Sequence, residues 1–194
     1  MTDLSILIPS VHTRWNTFAR QIQSQIYDQY NDLRPEDQAR VEILFWSDNK
    51  TMTIGEKRNR MVEAARGRYV TFIDDDDKIT KDYTSALLTA IAHSDADVIT
   101  FEVSVRLNGG SPKICKYSKY YPNDFNTHDG YYRLPNHIMC VKKELAFKAG
   151  FQNKNFGEDA EYARALKPFL ETEYPICRVL YHYDFNSGTT ETQR

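Results

Sequence analysis

The chain has 194 residues and a net charge of −2, with 27% charged and 41% hydrophobic residues. That length fits one domain with a substantial core, and that charge excludes nucleic-acid binding through bulk positive charge while leaving room for a local basic groove. Cys115, Cys140 and Cys177 are widely spaced and form no CxxC pair, which excludes a zinc ribbon or disulfide framework and points to a reducing, cytoplasmic compartment.

The opening MTDLSILIPS has an apolar part too short for a signal peptide and lacks a basic lead. No apolar run approaches the length of a membrane span, so no membrane anchor is expected. Leu4 to Pro9 is a short apolar strand ended by proline, and Ser10 to Asn16 a polar loop. Phe18, Ile22, Ile26 and Tyr30 recur every fourth residue and give a helix from about Thr17 an apolar face. Val41 to Trp46 is the second strand, stopping at Ser47-Asp48-Asn49. Thr53-x-x-Glu56 fits a capping box, so a helix opens near Gly55. Met61, Val62 and Ala65 supply its buried side, and Gly67 is its expected stop. A third strand begins at Tyr69. Strand–helix–strand–helix–strand at this spacing predicts a parallel sheet with right-handed crossovers.

Thr80 is placed to cap a third helix whose apolar face holds Tyr83, Leu87 and Ile91. Val98 to Val105 alternates, and Asn108-Gly109 signals a hairpin returning through Lys113 to Tyr117. Tyr121 to Asn136 reads as a long functional loop. It overlaps a tyrosine-rich segment from Tyr117 to Tyr132, suited to stacking on a sugar or base and equally to edge-strand packing. His137 to Val141 is a short strand, Lys142 to Ala149 a helix closed by Gly150, and Glu158 to Leu166 a helix ended before Pro168. Ile176 to Tyr183 is a late strand, and the tail from Asn186 is loose.

The chain is organised around Tyr69-Val70-Thr71-Phe72-Ile73-Asp74-Asp75-Asp76-Asp77. A buried strand cannot continue through four carboxylates, because unpaired buried charge is too costly. The acids belong at the strand's C-terminal mouth, where open α/β sheets bind ligands. Close like charges raise one another's pKa, and a hard divalent cation, Mn²⁺ or Mg²⁺, would relieve that repulsion and attract a diphosphate. The plain alternative is a solvated acidic turn. An EF-hand starting at Asp74 would need Gly and Glu where Ile79 and Ser85 stand. A haloacid-dehalogenase reading meets Lys78 or Ile79 where Thr or Val belongs. No GxxxxGK(S/T) or GxGxxG motif occurs.

In order, LSILIPS, VEILFWSDNK, GEKRNRMVEAARGRYVTFIDDDD, FGEDAEYARAL and LYHYDFNSGTT resemble the GT-A glycosyltransferases, especially the family-2 type. The resemblance spans Leu4 to Thr190, and its middle block is the most specific. It departs where Asp-Asp-Gly-Ser is usual after the second strand, and in its small acceptor region. It implies an α/β fold: a single GT-A-like domain over 1–194 with a Rossmann-like mixed, mostly parallel sheet flanked by helices. Donor binding would fall in about 1–105 and acceptor binding and catalysis in about 106–194. It further implies that Pro9 and Ser10 contact the nucleotide. Asp74 faces the ribose or reaches a metal through water, with Asp75 beside it, and Asp76 binds the metal; Asp75 and Asp77 are the alternative frame. His182 is a second metal ligand by resemblance and a packing residue otherwise. Asp48 is placed to accept from a pyrimidine N–H, or is a turn residue. Arg58 reaches a phosphate or base, or lies on a solvated helix face; Lys57 reads as surface. His137 is an acceptor-side candidate read first as packing.

A helix N-terminus favours an ionised carboxylate, so Glu158 and Asp159 either balance the helix dipole or, by resemblance, supply the base at Asp159 with Glu158 orienting the acceptor. The implied activity is inverting sugar transfer from a nucleotide-sugar, a UDP-sugar first, to a hydroxyl on a saccharide, protein or nucleic-acid base. The alternatives are a nucleotidyltransferase on the same fold, which would want a glycine in Ser10-Val11-His12-Thr13-Arg14, and a non-catalytic nucleotide-sugar binder.

Overall fold

The computed structural model describes residues 1–186. β1 (Leu4–Val11) is buried almost throughout and lies between β2 (Val41–Asp48) and β3 (Tyr69–Phe72), both parallel to it. A strand buried on both faces is near-continuously apolar, and LSILIPSV departs from that only at Ser5 and Ser10, whose buried hydroxyls donate to Glu42 and Asp75. β1 and β2 are joined through α1 (Arg20–Asp32) and the one-turn α2 (Pro35–Gln38); α3 (Ile54–Ala64) joins β2 to β3. β3 is followed by β4 (Lys78–Ile79), α4 (Tyr83–His93), β5 (Val98–Leu107) and β6 (Lys113–Tyr117). Asn108 and Gly109 both take positive φ at the β5–β6 turn, as a tight hairpin requires.

The rest of the chain supplies β7 (Phe125–Asn126), β8 (Gly130–Arg133), β9 (Cys140–Lys142), α5 (Lys143–Ala149), α6 (Glu158–Leu166) and β10 (Glu173–Phe185). One ten-stranded mixed sheet runs β2-β1-β3-β9-β5-β6-β8-β7, with β10 pairing β5 and β4. Its long ladders, β1–β2 and β5–β10, are parallel. β9 is the short antiparallel strand that joins β3 to β5. The predicted α/β class and mixed, mostly parallel sheet are therefore what the chain adopts. No helix among the described residues is long and apolar enough to cross a membrane.

Several local expectations change. The first helix begins later than Thr17, because a 3-10 turn (His12–Arg14) and a π turn (Trp15–Ala19) precede it. Gly67 does not stop α3, which ends at Ala64 with Ala65 extended. Its side chain is missing for another reason: a Cβ there would lie 2.5 Å from the Ser5 amide nitrogen of β1. Thr53 caps α3 by accepting from the Glu56 amide at 3.1 Å, but Glu56 pairs with Arg60 through its carboxylate. Asp82, not Thr80, precedes α4, and the Thr80 hydroxyl donates to it. Tyr121 to Asn136 is not one loop, since β7 and β8 form within it. The tail beyond Asn186, including Ser187 to Thr190 of the late histidine segment, lies outside the described residues.

Candidate functional site

β1, β2 and β3 end side by side, so Ser10, Asp48 and the Asp74–Asp77 turn share one mouth. The mouth opens into a cleft of about 1390 Å³. Pro9, Ser10, Arg58, all four aspartates, His137, Glu158 and Asp159 line it. The four consecutive carboxylates are divided among different partners. Asp74 accepts from Arg58 at 2.7 Å and lies 3.1 Å from His137 Nε2. Asp75 accepts from the Ser10 hydroxyl at 2.6 Å and from Arg14 Nε at 2.9 Å. Asp76 pairs with the same guanidinium at 2.7 Å. Asp77 accepts from the Tyr181 hydroxyl at 2.7 Å, and that oxygen accepts from the Asp74 amide at 3.1 Å.

Burial and pairing pull these acids in opposite directions. For Asp74, burial disfavours the charge, but Arg58 and then His137 outweigh it and hold the pKa well below the usual carboxylate range. For Asp75, burial is the largest influence; with the neighbouring Asp76 it overrides Ser10 and Arg14 and lifts the pKa to about 6. Burial also lifts Asp77 well above its ordinary value, and Asp74 and Asp76 add to the rise. The mouth thus holds more negative charge than its own cations stabilise.

Arg14 and Lys57 are site residues that the sequence reading missed. Lys57 is 2% exposed, not on the surface. Its ammonium donates to the Ser10 carbonyl and to Asp48. Asp48 also accepts from the Thr51 amide and hydroxyl, both at 2.8 Å. Burial opposes its charge, yet these donors hold its pKa down to about 2. Asp48 therefore accepts hydrogen bonds within its own turn and from Lys57. Arg58, also buried, donates to Asp74 on one side and Glu158 on the other. The signal for both cations was present: Lys57 and Arg58 precede Met61 and Val62 by four residues, on the same buried helical face. Arg14 lay in a stretch with no periodicity. The irregular turns after β1 carry it back over the acids, with its guanidinium 4.6 Å from the Phe18 ring centre.

His182 is not brought to the acids. Strand alternation turns Tyr181, Tyr183 and Phe185 to one face and His182 to the other. Tyr183 and Phe185 line the cleft and Tyr181 reaches Asp77, whereas His182 sits in register with Lys78 and Ser104. His137 is more than packing: it is 6% exposed and touches Asp74, and its Nδ1 is buried without a partner. Glu158 is turned inward onto Arg58 and 6% exposed, which makes it a brace instead of an open acceptor contact. Asp159 is the more open of that pair.

No three His, Cys, Asp or Glu side chains converge as a ready-made cage among the described residues. A small hard cation does not need one, since it binds through one or two carboxylates together with substrate phosphates and water. Asp76, its side chain 26% exposed at the cleft and paired with Arg14, fits that role; Asp75 pairs with the same guanidinium, and Asp74 lines the same cleft.

The family model described as Glycosyl transferase family 2 matches residues 23–149. A putative glycosyltransferase of Bacillus subtilis, EpsH, is 27% identical over 133 residues, covering 68% of this chain and 34% of that protein. Among solved structures, the S. aureus TarS 1-349 fragment in complex with UDP-GlcNAc superposes with a TM-score of 0.69 at 13% identity, covering 95% of this chain and 59% of that one. The same fragment in complex with UDP gives 0.67 at 13% identity, covering 96% and 61%. The chain spans about a third of the curated relative and about three fifths of the solved fragments. The structural likeness carries the fold alone.

Proposed function

Because the chain belongs to glycosyl transferase family 2, we propose that it moves a sugar from a nucleotide-sugar, a UDP-sugar first, to an acceptor hydroxyl with inversion. The observation that carries this reading is the Asp74–Arg58–Glu158 bridge. It ties the acid turn on β3 to the start of α6, so that a donor site and a candidate base face one cleft. The UDP-GlcNAc and UDP complexes of the TarS fragment support the choice of donor.

The diphosphate would lie at the mouth of β1 and β3, where Asp76, with Asp74 or Asp75, would hold Mn²⁺ or Mg²⁺. When bound, that ion neutralises charge on the leaving diphosphate. Arg14 moves from Asp76 toward the phosphates, and Arg58 keeps Asp74 ionised. Pro9 and the Ser10 backbone, held by Lys57, set the floor under the nucleotide. On the far side, Asp159 takes the acceptor hydroxyl's proton as its oxygen bonds to the anomeric carbon. The bond from that carbon to the diphosphate oxygen breaks, and its electron pair leaves with the nucleotide. Glu158 keeps α6 in register with the donor through Arg58. The attack comes from the face opposite the leaving group, so the acids at the strand mouth cannot serve as the base.

A donor panel scored by nucleotide release, with and without chelator, tests this reading. Release of UDP from at least one UDP-sugar, dependent on added Mn²⁺ or Mg²⁺, is the expected result. Tight UDP binding with no turnover on any donor or acceptor class would make the chain a binder, not an enzyme.

A further inference from the structure

Among the described residues, Phe156 alone of the exposed large apolar side chains lines the cleft, and it is 71% exposed. An isolated exposed aromatic on a loose loop would carry no argument, but this loop is braced. The Thr53 hydroxyl donates to Asn153, the Ile54 amide donates to Asn155 at 3.0 Å, and the Gly55 amide donates to the Lys154 carbonyl at 3.2 Å. The fit leaves no room for a side chain at residue 55, where a Cβ would lie 1.9 Å from the Gln152 carbonyl oxygen. Lys154 is tied to α6 through Glu161 at 2.6 Å. The ring is therefore presented to water from a fixed position, three residues before Asp159.

The other aromatic cluster near the cleft is spent on itself. Phe125 and Tyr132 stack with centroids 4.6 Å apart and 1° between planes, and Tyr121 packs edge-on against both. None of the three lines the cleft, so the expected stacking surface of that segment is already occupied by its own rings.

We propose that Phe156 is the stacking platform of an acceptor subsite that takes a saccharide. This rests on the glycosyltransferase reading and adds the acceptor class to it. A pyranose ring presents a face of C–H groups to an aromatic ring and hydroxyls around its edge. Phe156 supplies the apolar face, and its loop neighbours Asn153, Lys154 and Asn155 are all polar. Stacked on Phe156, the sugar's attacking hydroxyl is directed at Asp159.

The test is saturation-transfer NMR on the full chain with UDP and diamagnetic Mg²⁺ present. The probes are methyl glucoside, methyl galactoside, methyl mannoside and methyl N-acetylglucosaminide. At least one should show transfer to its ring C–H protons. Phe156→Ala should weaken that glycoside about three- to tenfold, the range of one aromatic contact, and Phe156→Trp should retain it. No glycoside signal from the UDP-bound wild type, or an unchanged signal in Phe156→Ala, would overturn the subsite. UDP binding is recorded on the same samples: its absence from the wild type would sink the glycosyltransferase reading itself, separately from the subsite.

Discussion

The aspartates of this chain are one residue type put to different uses by their surroundings. Asp48 is a hydrogen-bonded turn acceptor, Asp74 is held ionised by Arg58, and Asp77 is buried against Tyr181 with two like charges beside it. A group whose folded pKa is raised holds its proton more tightly in the folded than in the unfolded state, so its stabilising effect is lost as pH rises. Asp77 therefore costs stability at neutral and higher pH when no cation is present. Asp77→Asn keeps an acceptor for Tyr181 and removes the charge. In chelator it should raise the melting temperature at pH 8, and the gain should shrink toward pH 4; a lower melting temperature at pH 8 would contradict the buried-repulsion account. Asp159 is the proposed base. Asp159→Asn should lower kcat by about two to four orders of magnitude, the usual loss for a general base, with UDP affinity nearly unchanged. Near-normal kcat would remove Asp159 from that role and make Glu158→Gln the next variant.

At the scale of elements, α3 and the segment before α6 act as one part. Asn59 exchanges two hydrogen bonds with Phe151, and Arg58 reaches Glu158 from the same helix. Gly55→Ala would force the segment off the helix, costing about 1–3 kcal/mol as overpacking does. It should also depress acceptor turnover more than UDP affinity, because the displaced residues adjoin Asp159. A Gly55→Ala protein with wild-type melting temperature and turnover would show that the brace is dispensable. The sequence made much of this level legible. The capping box at Thr53 placed α3, Pro168 bounded α6, and the turn signal at Asn108-Gly109 placed the β5–β6 hairpin. It missed β7 and β8 because their few residues give alternation too little length to register. Arg14 was hidden for a related reason: its position depends on two consecutive non-α turns, for which sequence periodicity has no template. His182 was drawn into the site by resemblance, while simple alternation along β10 already placed it opposite Tyr181.

At the scale of the whole molecule, one sheet runs through both halves of the chain, and the cleft lies where β1 and β3 end. The acid turn stood out in the sequence because an apolar strand running into four carboxylates has few physical solutions. The proposed acceptor side did not, because it is assembled by long-range docking between segments 100 residues apart, such as Thr53 with Asn153. The acids are paired internally and form no closed cage among the described residues. Cation and diphosphate should therefore bind together, each supplying what the other lacks.

Calorimetry of UDP binding, in Mn²⁺ and in chelator, on the wild type and on Asp76→Asn, tests that claim most directly. The account predicts that UDP binds the wild type about tenfold or more tightly with Mn²⁺ than in chelator, a difference of about 1.4 kcal/mol or greater. It also predicts that Asp76→Asn loses most of that gain. Equal UDP affinity in Mn²⁺ and chelator, or a full Mn²⁺ effect in Asp76→Asn, would contradict the assignment of this acid turn as a metal–diphosphate site.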